Sequence, residues 1–561
     1  MHIKSTLLST LLLFFFNSQS FGQLVSDSSF SQDGYFITST PAGGSKYATR
    51  IKELSDGSIL TVGCGGASNK FKLWKYSAAG TPVLSFGLNG EATNPQLDAQ
   101  PGYVYIIKDI DTLENGKIIV LAEHTISSPI TFDSTKSAIL LVRFNADGSV
   151  DNTFNMNGYV IDKPVTGFEY HPQAMGIDKS EGKNEIYVGS WVVETGHATC
   201  PLGFGKWCLS KYSDNGSKSI SFNNNTGFIQ ESSSILKQGT TQSPLATIHD
   251  LRVMPDGRVI VGGAMHNFDH GYFSFKILSD GQWDNTYGTN GRSIHTVPFE
   301  VPTNDLTNAQ VLSDGSCVFY SILRYWGMGQ GGTDSTELHG VKSSNTGSPL
   351  ANFGNAGIMT FSYLSSQYPI LIFKSDHSFL LSYYRPYGAQ FADQKIEFMN
   401  FNANGIKNNL FGINGLLKTN PRSPDTYVNA SQVLHGIWTN NETGIYLTCI
   451  NQLPGANSEN GVFKYKWPGL FPLQTLDHSI NTEVLIYPNP VRENQAFYVT
   501  HQDAIQQIKV YSMTGALVDI NLQKVNDSKM EITLPNHLVA GVYILSLKSE
   551  SGIYTSRILK E

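Results

Sequence analysis

His266 and His270 stand four residues apart, a spacing that brings two imidazoles onto one metal when a helix carries them. Asn267-Phe-Asp269 between them reads as a loop, and no third ligand accompanies the pair, so neither a metal nor another cofactor is expected. The other acid–base and nucleophile signatures are missing. There is no Gly-x-Ser-x-Gly elbow, no His-Glu-x-x-His and no phosphate-binding glycine loop. Asp151 and Asp284 recur at one position of a repeated stretch, each in Asp-Asn-Thr before an aromatic residue. A carboxylate beside a glycine turn either caps that turn or ligates calcium, and the cap is the expectation here. Cys200 and Cys208 flank a Gly-rich stretch and are the candidate disulfide. Cys64, Cys317 and Cys449 fall in strand patterns and read as small buried hydrophobes.

The elements that must position these residues come from the repeat. Six turns share one form: Phe86-Gly-Leu-Asn-Gly90, Phe154-Asn-Met-Asn-Gly158, Phe222-Asn-Asn-Asn-Thr-Gly227, Tyr287-Gly-Thr-Asn-Gly291, Phe353-Gly-Asn-Ala-Gly357 and Phe411-Gly-Ile-Asn-Gly415. Upstream of these lie tighter turns that lead into apolar runs, as in Ser55-Asp-Gly-Ser-Ile-Leu-Thr-Val-Gly63 and Pro255-Asp-Gly-Arg-Val-Ile-Val-Gly262. Asp-Gly supplies the positive φ that a short hairpin needs. The runs are nearly continuous rather than alternating, which implies strands covered on both faces. Units of about four strands at a fixed period predict an all-β chain with a seven-bladed β-propeller. The first strands start near Ala48, Tyr105, Gln173, Ala246, Asn304, Gln367 and Asn429.

The seventh unit lacks the aromatic turn, and Ser29-Phe-Ser-Gln-Asp-Gly-Tyr-Phe-Ile-Thr38 carries a relative of it. The expectation is that this N-terminal segment closes the ring, which leaves no open sheet edge at the seam. The alternative is an open stack of blades. The marks resemble the delta-60 repeat, a propeller-like family whose units end in Asp-x-x-Phe-Gly-x-x-Gly. Asp151-Asn-Thr-Phe154 and Asp284-Asn-Thr-Tyr287 fit that ending; blades three, five and six lack its Asp.

In each unit the second strand exits into a loop before the third, and by propeller geometry these seven loops lie on one face of the ring. There the sequence gathers His124, Trp191, Met265, His266, Arg324, Tyr325, Trp326, Tyr383, Tyr384, Arg385 and Tyr387. Trp191, His266, Arg324, Trp326, Tyr384 and Arg385 are the candidate binding residues, because flat amphipathic rings and guanidinium groups suit carbohydrate or protein partners. The competing reading packs these aromatics between blades.

Lys4, the apolar stretch Leu7–Phe16, and Ser20 and Gly22 form a secretory signal pattern, with cleavage expected after Gly22. That stretch is too short to span a bilayer, and no other segment is a candidate. The other end carries Val484-Leu-Ile-Tyr487-Pro488-Asn489-Pro490, then Val510-Tyr-Ser-Met-Thr-Gly515, then Leu538-Val-Ala-Gly541-Val-Tyr543-Ile-Leu-Ser-Leu547. These motifs resemble the type A sorting domain of the type IX secretion system of Bacteroidetes. The resemblance implies a small β-sandwich, passage across the outer membrane by that machinery, and removal of the domain afterwards. The expected organisation is a signal peptide over 1–22, the propeller over 23–466, a linker over 467–481 and the sorting domain over 482–561.

Charged residues make up only 15% of the chain and the net charge is −7, which disfavours nucleic acid as a partner. Five cysteines in 561 residues do not make a disulfide framework. Two functions stay open: a secreted or surface binding module for polysaccharide or protein, and an extracellular hydrolase or lyase using a central pocket. Paired acids, or an acid with His, converging on the inner strands would favour the second.

Overall fold

Gly57, Gly116, Gly257 and Gly315 sit in the Asp-Gly and Asn-Gly turns with φ of 79, 78, 77 and 85° in the computed structural model. L-residues are strained in that region, so glycine fixes where each hairpin reverses. The turn side chains help: Asp56 Oδ1 accepts from Ser58 N at 2.9 Å and Asp314 Oδ1 from Ser316 N at 2.8 Å. The structure describes residues 24–467 and 484–561, apart from 39–45, 66–69, 127–136, 164–167, 195–205, 233–244, 267–270, 297–306, 326–334, 364–368, 386–394, 420–429, 452–458 and a few shorter stretches. The chain divides into two compact units, 1–470 and 471–561.

Among the described residues the first unit holds seven antiparallel sheets, each with its first strand innermost. Those inner strands are Lys46–Glu53, Tyr103–Thr112, Phe168–Asp178, Leu245–Val253, Thr307–Val311, Ile370–Phe373 and Ala430–Trp438. We number the blades 1 to 7 in that order. The third strand of blade 2, Ser137–Phe144, is buried at every position, as a strand sandwiched between neighbouring sheets must be. Apolar clusters fill every junction between consecutive blades. Phe30, Tyr446 and Val462 meet Ile51, Ile59 and Trp74 where blade 7 faces blade 1. Val318 and Tyr320 of blade 5 share a cluster with Leu381 and Met399 of blade 6 in the same manner.

Blade 7 draws its outer strands from the start of the chain. Val25–Ser26 and Tyr35–Thr38 both pair antiparallel with Glu459–Lys466. Asp27 then does what Asp151 does in blade 2. Asp151 Oδ1 accepts from Thr153 N at 3.1 Å and Thr153 Oγ1 at 2.7 Å, while Asp27 Oδ1 accepts from Ser29 N at 3.1 Å and Ser29 Oγ at 2.5 Å. Asp284 repeats the cap on Thr286. Lysine or arginine neutralises each carboxylate: Lys466 at 2.7 Å from Asp27, Lys117 at 2.8 Å from Asp151, Arg258 at 3.1 Å from Asp284. The residue after the aromatic donates to a turn carbonyl of the next blade in these three turns: Ser31 N to Ala79 O (2.7 Å), Asn155 N to Asn215 O (2.8 Å) and Gly288 N to Thr346 O (2.8 Å). The aromatic turns are therefore clasps between blades.

The second unit is a sandwich of two four-stranded sheets around Phe497, Val510, Ile532, Leu545 and Leu547. The Tyr487-Pro488-Asn489-Pro490 segment fastens the last strand, Ile553–Lys560. Asn489 Oδ1 accepts from Leu559 N at 2.8 Å, and Val491 N donates to Leu559 O at 2.7 Å. Tyr487 lies 5.6 Å from Tyr498, with Lys529 Nζ 4.2 Å above the Tyr498 ring. Gly541 opens the strand Gly541–Ser549, and Tyr543 OH donates to Val539 O at 2.7 Å. Gly515 lies outside the described residues.

Candidate functional site

The junction of blades 2 and 3 gathers charged and aromatic side chains at one end of the inner strands. Register places His171 on the inner strand of blade 3 opposite Trp191 on its second strand, Glu185–Glu194. The two rings stack, 4.2 Å apart and 19° from parallel. Blade 2 reaches across to the same imidazole: Glu123 Oε1 is 2.9 Å from His171 Nδ1, and Glu169 Oε2 is 3.5 Å from Nε2. Lys108 Nζ stands 3.2 Å from the other Glu123 oxygen. Burial opposes charge on Glu123, but the hydrogen bond from His171 and the charges of Lys108 and His171 outweigh it and hold the carboxyl at about 2. Burial likewise opposes a charged His171, and the hydrogen bonds to Glu123 and Glu169 overcome it and raise the pKa. On the opposite face of the blade 2 sheet, toward blade 1, Tyr103 stacks on His124 at 4.1 Å, and His124 Nε2 is 3.0 Å from Gln100 Oε1. Burial pushes His124 down to about 4, with the Lys163 charge acting in the same direction. Their surroundings push the two imidazoles in opposite directions, His171 up and His124 down.

A second polar set lines the channel. The inner strands of blades 1, 2, 3, 4 and 7 all slip register at one level, between Ala48/Arg50, Ile107/Asp109, Pro172/Ala174, Ile248/Asp250 and Val433/His435. A bulge re-aims the side chains beside it, and Arg50, Asp109, Asp250 and His435 are each half-buried there. Most of their polar atoms join one blade to the next. Arg50 Nε donates to Lys108 O at 2.6 Å, Asp250 Oδ2 accepts from Val311 N at 2.7 Å and Gln310 Nε2 at 2.6 Å, and His435 Nδ1 accepts from Ile51 N at 3.3 Å. Burial pushes Asp109 up to about 6 against the pull of Arg50, and Asp250 up to about 7 against the bond from Val311.

The residues proposed from sequence occupy strands rather than loops, because hairpin pairing runs further than the apolar runs suggest. His124, Trp191, Met265, His266, Arg324, Tyr325 and Tyr383–Arg385 all fall inside second strands. His124, Met265 and Tyr383 are buried and so contribute to the core. His266 is a strand residue paired with Leu245, which corrects the loop reading; His270 lies outside the described residues. The backbones of Arg324, Tyr384 and Arg385 end their strands, but their side chains lie outside what is described, as does all of Trp326. Trp191 is half-buried and stacks on His171. Cys208 is a free, fully buried thiol whose Sγ is 3.5 Å from Ser210 Oγ, and burial pushes it up to about 12. Its proposed partner Cys200 lies outside the described residues. Cys317 and Cys449 are free and buried. Among the described residues no group of three His, Cys, Asp or Glu could hold a metal ion. Glu123, Glu169 and His171 escaped the sequence reading. Their pairing joins different strands and blades, and only the Glu-x-His of 169–171 was visible as a local pattern.

Residues 485–561 match the family described as a secretion system C-terminal sorting domain. The chain carries a type IX sorting domain. It is therefore exported to the cell surface or secreted. Residues 114–154, in blade 2, match a domain of unknown function (DUF5122) beta-propeller. No curated protein matches the chain. Among solved structures, the polysaccharide lyase Uly1 is 10% identical with a TM-score of 0.39, over 80% of this chain and 98% of that one. A protein of unknown function from Dyadobacter fermentans is 11% identical with a TM-score of 0.33, over 66% and 96%. The beta-propeller domain of the trilobed protease from Pyrococcus furiosus is 9% identical with a TM-score of 0.31, over 74% and 94%. Likeness at this level carries no functional argument. Among the described residues no helix is long and apolar enough to cross a membrane.

Proposed function

We propose that this exported propeller is a binding module for polysaccharide, with its site on the rim of blades 2 and 3. The observation that carries the reading is the Trp191 ring lying on His171, itself fixed between Glu123 and Glu169. A ring held in one orientation costs little entropy when a flat sugar face stacks on it. The carboxylates and Lys108 beside it suit hydroxyl groups as acceptors and donor.

The raised carboxyls of Asp109 and Asp250 in the channel favour the second reading, a hydrolase or lyase. Asp250 argues against it. Its Oδ1 accepts from Leu251 N at 2.9 Å and its Oδ2 is occupied by blade 5, so neither oxygen is placed for proton transfer to a substrate. A glycan and surface-protein screen on the full chain separates the two. A ligand retained without chain cleavage supports the binding module; new reducing ends or unsaturated products support the enzyme.

A further inference from the structure

The Trp191 platform contains its own electrostatic support. Both ring nitrogens of His171 face carboxylates, Nδ1 toward Glu123 of blade 2 and Nε2 toward Glu169 of its own strand. A neutral imidazole has a lone pair on one nitrogen and would turn it toward a carboxylate oxygen. Only the imidazolium donates at both ends. Three other elements face this ring: the second strand of blade 2 through Glu123, the inner strand of blade 2 through Lys108, and the second strand of blade 3 through Trp191. Lys108 shares Glu123 and limits its pull on His171, while Glu169 pulls from the other side. A cation lying parallel to an indole at 4.2 Å is a cation–π pair.

We propose that protonated His171 is the positioning residue for Trp191, so that the ligand affinity of this rim is switched by the charge on one imidazole. This rests on the binding role given to Trp191 above. His171 touches no ligand itself. It fixes the indole plane and couples blade 3 to blade 2 through Glu123. Because its pKa is raised in the folded protein, the support is complete at and below the ordinary histidine range and is lost as pH rises through the higher folded value. Glu123 stays ionised throughout. Exported proteins meet external pH directly, so the switch would make binding tightest in mildly acidic surroundings and weaker in alkaline ones.

The test uses the full chain with and without the glycan found in the screen. Without ligand, 13C-labelled histidine NMR follows all imidazoles from pH 5 to 10. One resonance should titrate above the ordinary histidine range and be missing in His171→Arg. In binding, the wild type should lose about three- to tenfold in affinity across that transition. His171→Arg, a permanent cation with donors at both ends, should keep the acidic-side affinity at every pH. His171→Gln should show the weak alkaline-side affinity at every pH. A pH-independent wild-type affinity, or an equal drop in His171→Arg, overturns the proposal. If Trp191→Ala binds the glycan normally while the NMR transition is present, the binding reading has failed and the charge state of His171 has not.

Discussion

Phe30 lies against Gly80, so closely that a Cβ on Gly80 would stand 3.0 Å from Phe30 Cε2. Phe30 is in the segment that precedes blade 1, and Gly80 is in a turn of blade 1 itself. Phe154 over Gly216 and Tyr287 over Gly347 make the same contact one blade to the next, at 2.9 and 3.0 Å. The N-terminal segment thus supplies blade 7 with its clasp on blade 1. Phe30→Ala should cost about 3–5 kcal/mol, as a fully buried ring does. Asp27→Ala should weaken the same seam by removing the cap on Ser29 and the partner of Lys466. Urea denaturation checks both. A Phe30→Ala protein that unfolds at the wild-type midpoint would mean that the seam is held without this segment.

Gly80→Ala tests the same contact from the other side. The residue sits at φ 79°, where alanine is strained, and its methyl would press on Phe30. A loss of about 1–3 kcal/mol is expected. Gly102→Ala is the control for φ alone, since its φ is 78° and nothing lies within 4 Å of its Cβ position. An equal loss in both would assign the whole effect to backbone strain and none to Phe30.

Asp151 holds the blade 2–3 clasp and carries an acid-sensitive part of the stability. Burial would raise its carboxyl, but hydrogen bonds from Lys117 and Thr153 and the Arg143 charge bring it down to about 2. A carboxyl depressed in the folded state stabilises above its unfolded pKa and loses that contribution as pH falls toward the folded one. Asp151→Asn should cost about 1–3 kcal/mol at pH 7, because it removes one of the two carboxylates paired with buried Arg143, the other being Asp214 at 2.7 Å. The gap from wild type should close between pH 4 and 2 in urea titrations. A gap that is constant over that range would remove charge from the explanation.

Asp109 has the opposite sign. Its carboxyl is raised to about 6 by burial, so the folded chain holds a proton that the unfolded chain gives up. Stability falls as pH rises from about 4 to 6. Asp109→Asn should gain about 1–2 kcal/mol at pH 8 and nothing at pH 4. The amide keeps the local bond, as Asn308 does in blade 5, where Oδ1 accepts from Ala309 N at 2.8 Å. Thermal melts at the two pH values decide it, and destabilisation at pH 8 would show that the Arg50 pairing outweighs the burial cost.

Much of the ring was readable from its turns. Asp-Gly pairs and aromatic-glycine turns require particular backbone angles, and a residue type that is required at one place marks it in sequence. The offset of Phe30 from blade 7 was visible for the same reason. Asp27 was not, because Asp-Ser-Ser-Phe departs from Asp-Asn-Thr-Phe. The candidate site was far less legible. Trp191 stood out as a large ring near a strand end, whereas its support comes from Glu123, which is 48 residues from His171 in the chain. Nothing local encodes that meeting. The bulges that turn Arg50, Asp109, Asp250 and His435 to the channel involve one extra residue each, too small a signal against apolar runs of varying length.

The most direct measurement is the affinity of Trp191→Ala for a glycan retained by the full-length protein, at pH 6, beside a melt showing that the fold is intact. The proposed binding site predicts a loss of at least about 1–2 kcal/mol, on the order of tenfold. Wild-type affinity in that variant would contradict it and move the ligand off the rim of blades 2 and 3.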